Sequence, residues 1–220
     1  MEKIKLHTRM YGWKYVWKEF AEEFAGTVTD AHPESSQTPI SVQVPIKNTG
    51  WFLIYKVHPG LKAGTGHTTV EAFYSSGSGF RFAVHPPKHG VRLDKVSGVR
   101  DVSTGDKRFD PNFLIKSNET NIARSIFLNQ TVRDYIMAEP AIQIWVQNDE
   151  TDSSHSPRLL AGEQYTLCLK LPDIVDDFER LKLCYQLMEL LLTYLSQVET
   201  AVAAASSVSG FADLPGIVTT

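Results

Sequence analysis

Apolar residues recur at helical spacing near the N-terminus, where Trp13, Val16, Trp17, Phe20 and Phe24 form one stripe, and this predicts a helix. Gly26 stands where that helix would end. After the polar, proline-containing stretch Ala31–Pro39 the period changes to two. Ile40–Lys47 alternates apolar and polar residues, Trp51–Val57 is a β-rich run, and Asn48, Thr49 and Gly50 between them predict a hairpin turn. Thr68–Tyr74 and Phe80–Val84 repeat the arrangement around Ser75–Gly79. The four runs predict an antiparallel meander, and Pro45 inside the first of them points to a sheet edge.

Further along, Phe113–Lys116 predicts a short strand and Asn121–Ala138 a pair of helices. Strands follow at Ala141–Gln147 and Gln164–Leu171, joined by the polar loop Asn148–Pro157. Pro172 ends the last strand. Asp173 is placed to cap a helix running to about Val202, with Asp176, Asp177 and Glu179 near its positive end. Ala203–Thr220 is small, polar and punctuated by Pro and Gly, which predicts a flexible tail. The sum is one α+β domain over residues 1–202 and a tail over 203–220. Its antiparallel sheet has about six or seven strands, covered by an N-terminal helix and a long C-terminal helix.

The C-terminal helix carries more apolar surface than one sheet contact needs. Ile174, Phe178, Leu181, Tyr185, Met188, Leu192 and Leu195 make one seam, and Cys184, Leu187, Leu191, Tyr194 and Val198 a second beside it. Lys182, Gln186, Glu189, Thr193 and Gln197 leave only a narrow polar stripe, whereas a surface helix needs an apolar face of about 100° or somewhat more. Exposing Leu187, Leu191, Tyr194 and Val198 would forfeit roughly 6–12 kcal/mol. Two covers satisfy this: the protein's own N-terminal helix, or the same helix of another copy. The second makes these four residues a homodimer interface.

Composition narrows the function. The chain has 220 residues, 42% of them hydrophobic and 21% charged, as in ordinary globular proteins. Its net charge of -3 offers no bulk field for phosphate backbones or acidic membranes, so nucleic acid is excluded as a default partner. Cys168 and Cys184 form neither a disulfide framework nor a C-x-x-C pair. The N-terminus is charged but no apolar stretch follows it. The runs Trp51–Tyr55 and Leu187–Leu195 are too short to span a bilayer, which needs about 20 residues. A cytoplasmic, membrane-free protein is expected.

The candidate chemistry is thin. Gly64–Thr69 resembles the end of a phosphate loop, but Leu61 holds the first glycine position, His67 replaces the lysine, and a strand follows. His58, His67, His85 and His89 lie near strand ends, where imidazoles could hold zinc or copper. Two prolines separate His85 from His89, however, and loop positions account for all four. Asp101, Asp106 and Asp110 lack calcium-loop spacing. No G-x-S-x-G elbow is present. No cofactor or metal is expected.

From Gly98 the residues Gly98, Asp101, Val102, Gly105, Asp106, Phe109, Asp110, Phe113, Ile115, Lys116 and Asn118 follow the pattern G-x-x-D-[IV]-x-x-G-D-x-x-F-D-x-x-F-x-[IV]-K-x-N. This stretch resembles the signature of a family of uncharacterised bacterial proteins of no assigned function, and the resemblance implies no catalytic residue, cofactor or substrate. Its physics reads as architectural. Phe109 and Phe113 can pin the loop to the core, Gly105 permits positive φ, and Asp106 and Asp110 can accept backbone N–H groups. The function expected is a non-enzymatic, self-associating interaction or ligand-binding module. The alternative is a small-molecule enzyme with a loop-borne site near Asp106, Asp110 and His67.

Overall fold

The structure is a computed structural model that describes residues 3–29, 40–60, 66–88, 98–148 and 163–209. The expected loop 31–39, His89, the linker after Asn148 and the tail beyond residue 209 lie outside these ranges.

Helix α1 (Lys3–Glu23) is followed by strands β1 (Thr27–Thr29), β2 (Ile40–Pro45), β3 (Phe52–His58), β4 (His67–Ser76), β5 (Phe82–His85), β6 (Arg100–Val102) and β7 (Leu114–Ser117). Helices α2 (Thr120–Phe127) and α3 (Gln130–Met137), strands β8 (Gln143–Asn148) and β9 (Glu163–Leu171), and helix α4 (Phe178–Ser209) complete the described residues. The fold is α+β. The nine strands among the described residues form one sheet in the order β1-β2-β3-β4-β9-β8-β5-β7-β6, antiparallel throughout. The count exceeds the expected six or seven because β1 and β6, three residues each, are too short to show a period of two.

Strands β2, β3 and β4 form the first three strands of the predicted meander, and the short β1, which the alternation does not predict, pairs with β2 at the sheet edge. Pro45 lies beyond Gln43, the last β2 residue paired with β1, so its missing N–H costs no ladder bond. The expected β4–β5 hairpin does not form, since β9 and β8 lie between the two strands. Ser75–Gly79 leads instead into a crossover. The Glu199 carboxylate of α4 holds it by accepting from Ser76 Oγ, Ser78 Oγ and the Gly77 N–H. Gly79, at φ 63°, supplies the left-handed turn.

One sheet face packs on the helices. Tyr55 reaches α4 by donating to the Leu181 carbonyl (3.1 Å) and meets the α1 ring of Trp17 edge-on. Its cross-strand row continues through Val42, Val70, Leu169, Ile144, Val84 and Ile115, all buried. The second face carries Gln43, Ile54, Lys56, Glu71, Lys170, Trp145 and Lys116, all partly or fully exposed.

Helix ends differ from expectation in two places. Asp177, not Asp173, caps α4, its Oδ1 accepting from the Arg180 N–H at 2.9 Å, and α4 continues past Val202 to Ser209. Asp173 instead binds the Arg180 guanidinium, which also grips Glu139 through two bonds of 2.7 and 2.9 Å. At the end of α1 it is Ala25 that takes positive φ (52°). Gly26 is required by proximity, because a Cβ there would stand 2.5 Å from Val44 Cγ1 and 2.7 Å from the Gln43 carbonyl oxygen.

The two positions should therefore respond oppositely. Gly26→Ala is expected to lower stability by about 1–3 kcal/mol through overpacking. Ala25→Gly should raise it, because relief of left-handed strain of about 1–2 kcal/mol exceeds the roughly 0.4–1 kcal/mol of added unfolded-state entropy. Urea midpoints of the two variants check both signs.

Candidate functional site

The stretch 98–118 folds as a self-tied loop. Gly98 and Gly105 hold φ of 82° and 79°. The Asp110 carboxylate accepts from the Ser103 hydroxyl, the Thr104 N–H and hydroxyl, and the Gly105 N–H, at 2.6–3.1 Å. Burial pushes its carboxyl up and these donors outweigh that, leaving it below the usual range. The Arg108 and Phe109 N–H groups donate to Asp106 Oδ1, and Arg133 Nε donates to its Oδ2 at 3.0 Å. The Arg108 N–H is the main cause holding Asp106 below the ordinary carboxylate range. Phe109 and Phe113 are buried and stacked, with ring centroids 5.2 Å apart. Asn118 ties the loop's far end to the segment that leads into β5, donating to the Gly79 carbonyl and accepting from the Arg81 N–H, both at 2.8 Å. These bonds match the architectural reading residue by residue.

Beside this loop opens a groove of about 830 Å³, within the usual range of ligand sites. Pro86, Pro87, Pro111 and Pro140 form its walls with Phe113, Met137 and Ala138. Polar groups come from Lys88, Arg108, Asn112 and Asp134. Arg108 and Asp134 form a loose pair at 3.7 Å with side chains 73% and 51% exposed, so both remain available to a ligand. Prolines have little conformational freedom to lose, so such walls are preorganised. No sequence motif signals this groove, because its lining comes from three separate segments.

The enzyme-type constellation does not assemble. Asp106 and Asp110 lie between β6 and β7, while His67 opens β4. Strands β9, β8, β5 and β7 intervene between β4 and β6, a lateral distance of about 24 Å. Asp101 is exposed on β6, away from the bonds that Asp106 and Asp110 make. Cys184 is fully buried, and burial pushes its thiol up to about 12 with Glu139 adding to the effect, so it carries no thiolate near neutrality. His85 is buried with Nδ1 2.9 Å from the Pro86 carbonyl oxygen. His58 and His67, by contrast, come together with ring centroids 4.4 Å apart. Among the described residues, no group of three or more His, Cys, Asp or Glu could hold a metal ion.

Two of the four expected interface residues on the second α4 seam are covered within the single chain. Leu187 and Leu191 are fully buried, and Tyr194 and Val198 partly so. Their cover differs from both expected covers. Helices α2 and α3 pack on α4, and Asn129 between them donates to the Tyr194 hydroxyl at 2.7 Å. Helix α1 serves the first seam, through Phe20 on Phe178 and Phe24 on Tyr185. Leu187 and Leu191 thus need no second copy to leave water.

No protein-family model matches the chain, and no curated protein does. Among solved structures the chain is similar to the mycobacterial trehalose monomycolate transport factor A, TtfA, with a TM-score of 0.51 at 9% identity. The match covers 84% of this chain and 94% of that one. At this identity the likeness is one of fold. No described helix is long and apolar enough to cross a membrane.

Two substitutions test these placements. Phe113→Ala is expected to cost about 3–5 kcal/mol, read as a lowered denaturation midpoint. Leu191→Glu places a carboxylate inside the α2–α3–α4 contact and should unfold the chain at neutral pH without passing through a folded, dissociated form. Circular dichroism and light scattering on that variant separate the two outcomes.

Proposed function

We propose that the protein is a non-enzymatic ligand-binding or interaction module whose binding surface is the proline-walled groove beside residues 98–118. The observation that carries this reading is the division of labour along that stretch. Asp106, Phe109, Asp110 and Asn118 are engaged in holding the loop, while Arg108, Pro111 and Asn112 line the groove. On the signature that this stretch resembles, and to whose family we assign the chain, those three lining residues occupy the unspecified positions. A fixed frame with free lining positions suits recognition of varied ligands. The apolar walls and the two cations, Lys88 and Arg108, against one carboxylate, Asp134, favour an apolar body bearing an anionic group. The similar fold of a transport factor, a protein named for moving a molecule rather than transforming it, supports a non-catalytic role. The net charge of -3 supports partners other than nucleic acid, and the buried cysteines Cys168 and Cys184, which form no disulfide, suit a cytoplasmic setting.

Self-association belongs to the same proposal on one separate observation. Phe52 and Phe73 are 47% and 43% exposed on the second sheet face, and an isologous contact between two copies would cover both rings. Light scattering at tens of micromolar tests it, with Phe73→Glu expected to return a dimer to monomer. A monomeric parent removes this part of the reading and leaves the groove untouched.

The groove itself is tested with 1-anilinonaphthalene-8-sulfonate, an apolar ring system with one anionic group. The folded protein should bind it at one saturable site by fluorescence. Met137→Glu and Arg108→Glu should each weaken that binding at least tenfold while leaving the melting temperature near that of the parent. Absence of saturable binding, or equal binding by both variants, would sink the proposal.

A further inference from the structure

His58 and His67 end the β3–β4 pairing as direct cross-strand partners, so both imidazoles project from the same face of the sheet. Their rings lie parallel within 9°, with centroids 4.4 Å apart. His58 Nε2 is 2.9 Å from the Thr69 hydroxyl, which leaves its Nδ1 unused by that bond. Both residues are part-exposed, so the pair is open to solvent. We propose that these two imidazoles form a site for one borderline divalent transition-metal ion of the copper(II) or zinc(II) class, with water completing its coordination sphere.

Ligation requires the two rings to turn out of their stack, because parallel imidazoles direct their lone pairs side by side and not at one point. Two nitrogens bound at about 2.0–2.1 Å in a tetrahedral sphere stand about 3.3 Å apart, within reach of rings already stacked across adjacent strands. Antiparallel pairing fixes the two Cα positions, so binding needs only side-chain torsions to change. The protonation state also fits. Burial is the first cause that lowers both pKa values from their usual level, and Lys170 lowers both further. The lone pairs a metal requires are therefore present at neutral pH.

The charged groups facing the pair are Lys56 on its own strand β3, Glu71 on β4 and Lys170 on β9. Lys56 and Glu71 form an ion pair and offset one another. Lys170, the cross-strand partner of Thr69, is the opposing cation. Its charge argues for an exchangeable ion held by two protein ligands rather than a permanent structural one. The inference is independent of the groove, which lies on other strands and helices.

The test is a titration of the full chain with copper(II), the tightest binder of the divalent series, followed by calorimetry and electron paramagnetic resonance at pH 7.5. The chain has seven histidines, so the parent is compared with His58→Ala, His67→Ala and the double variant, each confirmed folded by circular dichroism. The expected result is a loss of at least tenfold in the tightest copper affinity in each single variant, with nitrogen hyperfine structure from two imidazoles in the parent only. Lys170→Ala should tighten binding, and lowering the pH from 7.5 to 5.5 should weaken it as the imidazoles take up protons. Unchanged affinity in the double variant would overturn the proposal. So would stabilisation of the parent by pyrophosphate at pH 6 together with no copper binding at the pair, because the cluster would then be an anion site.

Discussion

The apolar girth of α4 is the constraint from which the rest of the molecule follows. Leu181, Cys184, Leu187, Met188, Leu191, Leu192 and Leu195 are all buried, and they leave the helix from more than one side. A buried leucine or methionine side chain contributes about 1.5–3 kcal/mol, so leaving either seam in water would offset the stability of an ordinary domain. A sheet can cover one side only. The chain therefore sets α1 against one flank and the α2–α3 pair against the other. Each flank carries a specific bond as well as apolar contact. Trp17 of α1 donates to the Val175 carbonyl just before α4 at 2.8 Å, and Asn129 reaches Tyr194.

Polar side chains then fix the connections that this packing demands. Arg180 at the start of α4 holds Glu139, which is buried after α3, so helix and connection are locked in register. Arg133 joins Asp106 to the Phe127 carbonyl at 2.8 Å and so binds the 98–118 loop to the α2–α3 turn. Glu199, far along α4, clasps the β4–β5 crossover. Removing one member of such a pair leaves its partner desolvated and unmatched, which costs more than the pair itself contributes. The carboxylates that a search for catalysis would single out are thus structural for a physical reason: the crossovers put unsatisfied N–H groups where only they can reach.

Much of the architecture was legible along the chain, and the failures share a cause. Seven strands and four helical segments announce themselves because a run of four or more residues shows its period. Strands β1 and β6 do not, being too short. The Ser/Gly stretch 75–79 has the composition of a hairpin turn, and nothing local distinguishes a turn from a crossover. Only the longer β4–β9 ladder, from Thr68 to Ser76, decides it. Asp177 displaces Asp173 as the cap of α4 because Arg180 draws Asp173 away. The width of the α4 seam was legible while its cover was not, since the α2–α3 pair looks the same whether it packs on a sheet or on a helix. The His58–His67 contact depends on the β3–β4 register, which Ile54 and Glu71 set several residues away.

The groove was hidden for a deeper reason. Periodicity reports what a residue buries, and the groove is built from residues whose neighbours do the burying. Arg108 sits next to Phe109, and Asn112 next to Phe113. In each pair the ring is buried while the neighbour is left facing outward. Asp110 satisfies the loop's N–H groups on one side and the two rings anchor it on the other. The intervening residues add backbone bonds, and Asn112 adds one from its Nδ2 to the Arg108 carbonyl at 2.7 Å, while the side chains of Arg108 and Pro111 stay outside the loop's own bonding. A binding surface assembled this way loses little conformational entropy when a ligand arrives. Its lining can also change without unfolding the frame, because no stabilising bond to Asp110 runs through the side chain of Arg108, Pro111 or Asn112. Such separation of frame from lining suits recognition, where the partner varies and the fold does not, and it explains why the tied segment 98–118 borders the proline-walled groove.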